Sequence, residues 1–142
     1  MPTSGRNAVC LLDTSVAVAF LVADHEYHGI AFESLADRDL GLAGHAAFET
    51  FSVITRLPPP ARRTPAAVSR LLTVNFPHSR FLSAERAAAL LAELAGHTIA
   101  GGSVYDALVG ATAVEHGLTL VSRDRRALGT YRELGADVEV IH

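Results

Sequence analysis

Residues 103–124, SVYDALVGATAVEHGLTLVSRD, decide the fold. Their spacing predicts a helix, a glycine stop and a short buried strand, with an acid at each end. Leu108, Val109, Ala111, Ala113 and Val114 give the helix a broad apolar surface, and Gly117 follows His116 where a helix C′ residue belongs. Residues 118–121 are an unbroken run suited to a buried strand, and Ser122-Arg123-Asp124 leaves it. Asp106 falls in the first helical turn, where the positive end of the dipole favours a carboxylate. Ligands of open α/β sheets bind outside the carboxyl ends of the strands. Asp124 therefore stands where chemistry is expected, with Asp106 a candidate neighbour.

Working outward, the same pattern recurs upstream. Residues 8–12, AVCLL, have the length and continuity of a buried parallel strand; Asp13-Thr14-Ser15 ends it and residues 16–22 read as the following helix. Asp13 is thus at the carboxyl edge of the sheet, and it is equally a good helix N-cap; the two readings are compatible. A second helix is expected over 28–36 and a short strand over 40–43. A helix over 45–56 carries Phe48, Phe51 and Ile54 at helical spacing, with Glu49 near its first turn. Taken alone, a helical Glu is an ordinary solvated residue. Pro58, Pro59 and Pro60 stop that helix. Thr64 caps the next, opened by Pro65 and running to about residue 74. A short strand over 80–82, an Ala/Leu-rich helix from 83 to 95 and a Gly-rich turn at 100–103 lead back to the opening stretch. Beyond Asp124 a short helix is expected over 125–131, a turn over 132–136 and a last strand over 138–141. Strands alternating with helices predict a single α/β domain over 1–142, its core spanning about 8–141. The expected architecture is a mainly parallel central sheet flanked by helices, an α/β/α sandwich.

Composition narrows the chemistry. The 142 residues are 49% hydrophobic and 19% charged, the balance of a globular chain with a real core. Cys10 is the only cysteine and lies inside an apolar run, so it reads as a buried small residue in a reducing compartment. No run reaches the length of a membrane span, and the start, MPTSGRNAV, lacks the pattern of a signal peptide; a cytoplasmic protein is expected. All twelve basic residues are Arg, which excludes P-loop, Schiff-base and other lysine-dependent mechanisms. A receiver domain fails for the same lack of lysine. A haloacid-dehalogenase-type phosphatase would need an acid where Ser15 stands. The seven histidines form no zinc motif such as His-Glu-x-x-His. The net charge of −3 is unpromising for nucleic acid, but four site acids set aside leave +1 elsewhere, and a divalent ion restores local attraction for phosphate.

In chain order the acids are Asp13 after the first strand, Glu49 and Asp106 early in helices, and Asp124 after a late strand. With LLDTS around Asp13, FETFSVITR around Glu49 and VYDALVGATAVEHGLTLVSRD, this order resembles the PIN-domain nucleases, and most of all the VapC toxins of bacterial toxin–antitoxin pairs. The resemblance covers nearly the whole chain. It implies an acidic catalytic and metal-binding set of Asp13, Glu49, Asp106 and Asp124, with Ser15 and Ser122 as supporting hydroxyls. It implies Mg²⁺ or Mn²⁺, an RNA substrate, a homodimer and a VapB-like antitoxin whose C-terminal segment covers the groove. Apolar residues of 16–21 and of the second helix are candidates for that groove or for the core.

Hard cations favour carboxylate and water oxygens, which independently fits four acids at element ends. Without metal these acids repel one another, so at least one pKa should rise. Arg56, Arg62, Arg63, Arg123, Arg125 and Arg126 are candidate phosphate contacts, Arg123 and Arg125 foremost because they flank Asp124. The alternative is a catalytically silent PIN-like module that binds RNA or a protein without turnover.

Overall fold

Four parallel strands in the order β2-β1-β3-β4 form the sheet of this computed structural model, which describes residues 8–142. Residues 1–7, part of the stretch read for a signal peptide, lie outside the described residues. The central strand is β1 (Val9–Leu12), with β2 (Asp39–Leu42) on one side and β3 (Thr119–Ser122) on the other; β4 (Val138–Val140) completes the sheet beyond β3. Leu12 stands opposite both Leu42 and Val121, so the strands end nearly level. Residues that leave them are therefore delivered to one edge.

The helices are α1 (Thr14–Leu21), α2 (His28–Leu35), α3 (His45–Thr55), α4 (Pro65–Asn75), α5 (Ala84–Glu93), α6 (Ser103–His116) and α7 (Leu128–Glu133). Alternation along the strands sends their side chains to two helical layers. Cys10, Leu12 and Val121 pack with Val16, Ala17, Phe20, Ala31 and Leu35 of α1 and α2. Leu11 and Leu120 pack on the opposite face with Ala46, Val109, Ala113 and Tyr131. A third cluster, Leu90, Ile99, Ala107 and Ala111, fastens α5 to the outer side of α6. The single-domain α/β/α expectation matches this arrangement.

Two expected elements differ. Residues 80–82 do not form a strand; Arg80 makes an isolated parallel bridge to Ala43. His78 and Arg80 donate backbone hydrogen bonds to Leu40 and Leu42, but the Leu42 N–H goes to the Ser79 hydroxyl instead of a carbonyl. Leu82 then turns towards the α5–α6 cluster. The last helix begins at Leu128, not at residue 125, because the Asp124 carboxylate accepts the Arg126 N–H and its carbonyl accepts that of Ala127. Asp124 thereby closes a turn before the helix can start.

The turn from β2 into α3 makes a close approach to α6. Gly44 has φ 54°, and a Cβ there would lie 2.6 Å from the Thr112 Oγ1 of α6. Only glycine meets both conditions, so the start of α3 packs closely on α6 at Thr112.

Candidate active site at the carboxyl edge of the sheet

Asp13 leaves β1 and caps α1, accepting the Val16 N–H at 3.2 Å through Oδ1. It is 3% exposed. The Ser15 hydroxyl donates to Oδ1 at 2.5 Å, and Oδ2 receives the Ser122 hydroxyl at 2.5 Å and the Tyr131 phenol at 2.9 Å. Each serine oxygen also accepts a backbone N–H, Ser15 from Arg123 at 3.1 Å and Ser122 from Asp124 at 3.0 Å. Their protons are therefore turned towards Asp13, which faces four donors. Burial pushes its pKa up, opposed by the hydrogen bonds from Ser122, Ser15, Tyr131 and the Val16 amide. Four donors and no acceptor match the ionised form, whose two oxygens offer about four lone-pair sites. The serines thus act as braces that tie the β1–α1 turn to the exit of β3.

Tyr131 is the residue that sequence reasoning missed. It is buried on α7, and its pKa is raised by burial and by the Asp13 charge, so the phenol keeps its proton and remains a donor. Its ring packs on α6 at Gly110, where a Cβ would come within 3.2 Å of Cδ1. A tyrosine on a short helix otherwise headed into the core could have raised the question of its partner, since buried phenols find one.

The other three acids are more open. Asp106 projects from the first turn of α6. Its pKa is pushed from the usual 3.8 to about 6, first by partial burial and then by the charges of Asp124, Glu49 and Asp13. The expected rise is therefore present, and it falls on the acid that the other three face. Glu49 lies one turn into α3, largely solvated, and its Oε1 accepts the Thr14 hydroxyl at 3.2 Å, which links it to the residue after Asp13. Asp124 is held by its own turn and makes a 3.5 Å contact with the exposed Arg126 guanidinium.

The arginines around Asp124 have different surroundings. The Arg123 guanidinium lies 3.7 Å from the Tyr27 ring centroid, a cation–π contact, with its Nε buried and without a hydrogen-bond partner. Arg125 meets the His142 ring at 3.0 Å, and it is Arg126 that pairs with a site acid. Val16, Ala17, Ala19 and Phe20 of the expected groove are core residues, whereas Ile30 and Phe32 of α2 are roughly half exposed. A groove of about 290 Å³ opens instead beyond α1, between Leu21, Val22, Ile54, Pro60, Arg63 and Leu71.

An all-oxygen donor set suits a hard divalent ion, and the repulsion felt by Asp106 is what such an ion would relieve. Among the described residues, no three His, Cys, Asp or Glu side chains already stand close enough to hold an ion together.

This sheet order with this edge defines a class. The chain belongs to the PIN domain family, whose model matches residues 10–133. It is 44% identical over 129 residues to Ribonuclease VapC27 of Mycobacterium tuberculosis, across 91% of this chain and 94% of that protein. Ribonuclease VapC40 of the same organism is 44% identical over 131 residues, 91% and 96% of the two chains. The crystal structure of VapBC2 from Rickettsia felis bound to a DNA fragment from their promoter shares the fold, with a TM-score of 0.65 at 15% identity over 94% of this chain and 99% of that one.

Proposed function

We propose that this single PIN domain is an Mg²⁺- or Mn²⁺-dependent endoribonuclease and the toxin of a toxin–antitoxin pair. The observation that carries the reading is that Asp13, Glu49, Asp106 and Asp124 are delivered to one edge of the sheet, where the charges of the other three add to burial in raising the Asp106 pKa. The ribonuclease names of the two mycobacterial relatives support the substrate class. The VapBC pair in the structural relative supports a VapB-like antitoxin as partner.

In this reading Asp13, Glu49, Asp106 and Asp124 hold the ion. Bound there, it supplies a Lewis acid for a phosphate oxygen, a water of lowered pKa and charge for the leaving oxygen. Ser15, Ser122 and Tyr131 keep the Asp13 carboxylate fixed and ionised. Arg123 and Arg125 contact flanking RNA phosphates. In this reading the protein acts as a cytoplasmic homodimer.

The test is incubation of total cellular RNA with the purified, partner-free protein, with Mg²⁺ or Mn²⁺, with EDTA, and with Asp106→Asn alongside. Discrete fragments that require metal and vanish in the variant are expected. Intact RNA bound equally by both proteins would replace this reading with the silent binding module.

A further inference from the structure

The starts of α3 and α6 carry an aromatic pair that the acid chemistry does not use. Tyr105 immediately precedes Asp106 and is 52% exposed. His45 opens α3, one turn ahead of Glu49, and its Nε2 lies 3.9 Å from the Glu49 Oε1. The two rings stack, with centroids 4.8 Å apart and planes 20° from parallel. Each ring is thus mounted beside a different site acid. The pair continues into a groove of about 250 Å³ bordered by His45, Phe48, Phe81 and Leu108.

Packing does not account for Tyr105. About half of its surface is in water, and none of the three core clusters includes it. A flat ring backed by a second ring, at the lip of a phosphodiester-cleaving site, has the form of a stacking platform, and every nucleobase offers a π-face to such a surface. We propose that the Tyr105–His45 stack is a base-binding subsite: an unpaired base of single-stranded RNA, next to the scissile phosphate, stacks on Tyr105 with His45 behind it. This rests on the ribonuclease reading. It adds a substrate requirement, that the nucleotide at the site be unpaired, and makes Tyr105 and His45 positioning residues for the cut.

The chain has no tryptophan, so Tyr105→Trp introduces a sole indole as reporter. In an Asp106→Asn background with Mg²⁺, titration with a single-stranded oligoribonucleotide should quench its emission saturably, and the same sequence in a duplex should not. In the otherwise native chain, Tyr105→Ala should raise KM for RNA about tenfold, with the smaller change in kcat. Tyr105→Phe should restore KM, and Val74→Ser, on the exposed side of α4, should leave it alone. Absent quenching together with an unchanged KM would overturn the platform. So would a shift in sedimentation of Tyr105→Ala at constant KM, which would make the ring a contact between two copies. The quench needs no turnover: quenching without metal-dependent cleavage would sink the ribonuclease reading alone, and cleavage indifferent to Tyr105 would sink the platform alone.

Discussion

The floor and the rim of the acidic edge are built on opposite plans. At the floor, Asp13 is buried and meets four donors from β1–α1, β3 and α7. At the rim, Asp106 is partly buried and feels the charges of three other acids, opposed by that of Arg126. One carboxylate is fixed by hydrogen bonds and integrated with the core; the other is left under electrostatic stress at the end of a helix. The contrast teaches that a single group of acids can divide its work. The buried member holds the architecture and the exposed members carry the unbalanced charge that a cation can use.

The sharpest way to break this contrast is to remove the floor. Asp13→Ala strands three side-chain donors in a buried space, and should cost about 3 kcal/mol or more, a fall in Tm of about 10 °C, with complete loss of RNA cleavage. Calorimetry beside an activity assay reads both. A stable Asp13→Ala protein would show that the floor is not structural. Asp106→Asn should lower the cleavage rate by on the order of a hundredfold or more without lowering the Tm of the metal-free protein. Tyr131→Phe keeps the ring and deletes one donor; the expected loss is about 1.5 kcal/mol in urea unfolding, together with a measurable drop in cleavage.

The rim has its own signature with pH. The folded-state pKa of Asp106 is raised from 3.8 to about 6, so its contribution to stability is fully present below 3.8 and is lost as pH rises through 6. In EDTA, the Tm of Asp106→Asn should match wild type near pH 4 and exceed it above pH 7, and Mg²⁺ should narrow the gap by stabilising wild type. A gap that does not change with pH would mean the rim is not under charge stress. The smallest effect is expected of Arg126→Ala. Its contact with Asp124 is solvent-exposed, so urea unfolding should move by less than about 0.5 kcal/mol.

The strands, Asp13 and Asp124 were legible because an apolar run of strand length followed by an acid is a strong local signal, whereas Glu49 joined the set only through the family resemblance. Asp13 shows this best, since the residues that end the strand also start the helix. What was not legible depends on groups far apart in sequence. Tyr131 reaches Asp13 across 118 positions from a helix of mixed polarity, and no local pattern announces its phenol. The start of α7 was misplaced because the Asp124 side chain, assigned to chemistry, also holds a turn. The bridge at Arg80 reads as a strand until Ser79 replaces a carbonyl in the ladder. The surroundings of the arginines were not legible either, because proximity in sequence to Asp124 says nothing of the Tyr27 ring under Arg123.

The brace across β1 and β3 also sets an order in time. The ribosome makes β1 first, yet that strand occupies the middle of the finished sheet, and the groups that secure Asp13 come from Ser122 and Tyr131, 109 and 118 positions later. A nascent chain thus carries Asp13, Glu49 and Asp106 well before it can arrange them. Completion of the brace on Asp13 waits for the Tyr131 phenol of α7. In this topology, synthesis of α7 and assembly of the acidic edge are nearly the same event.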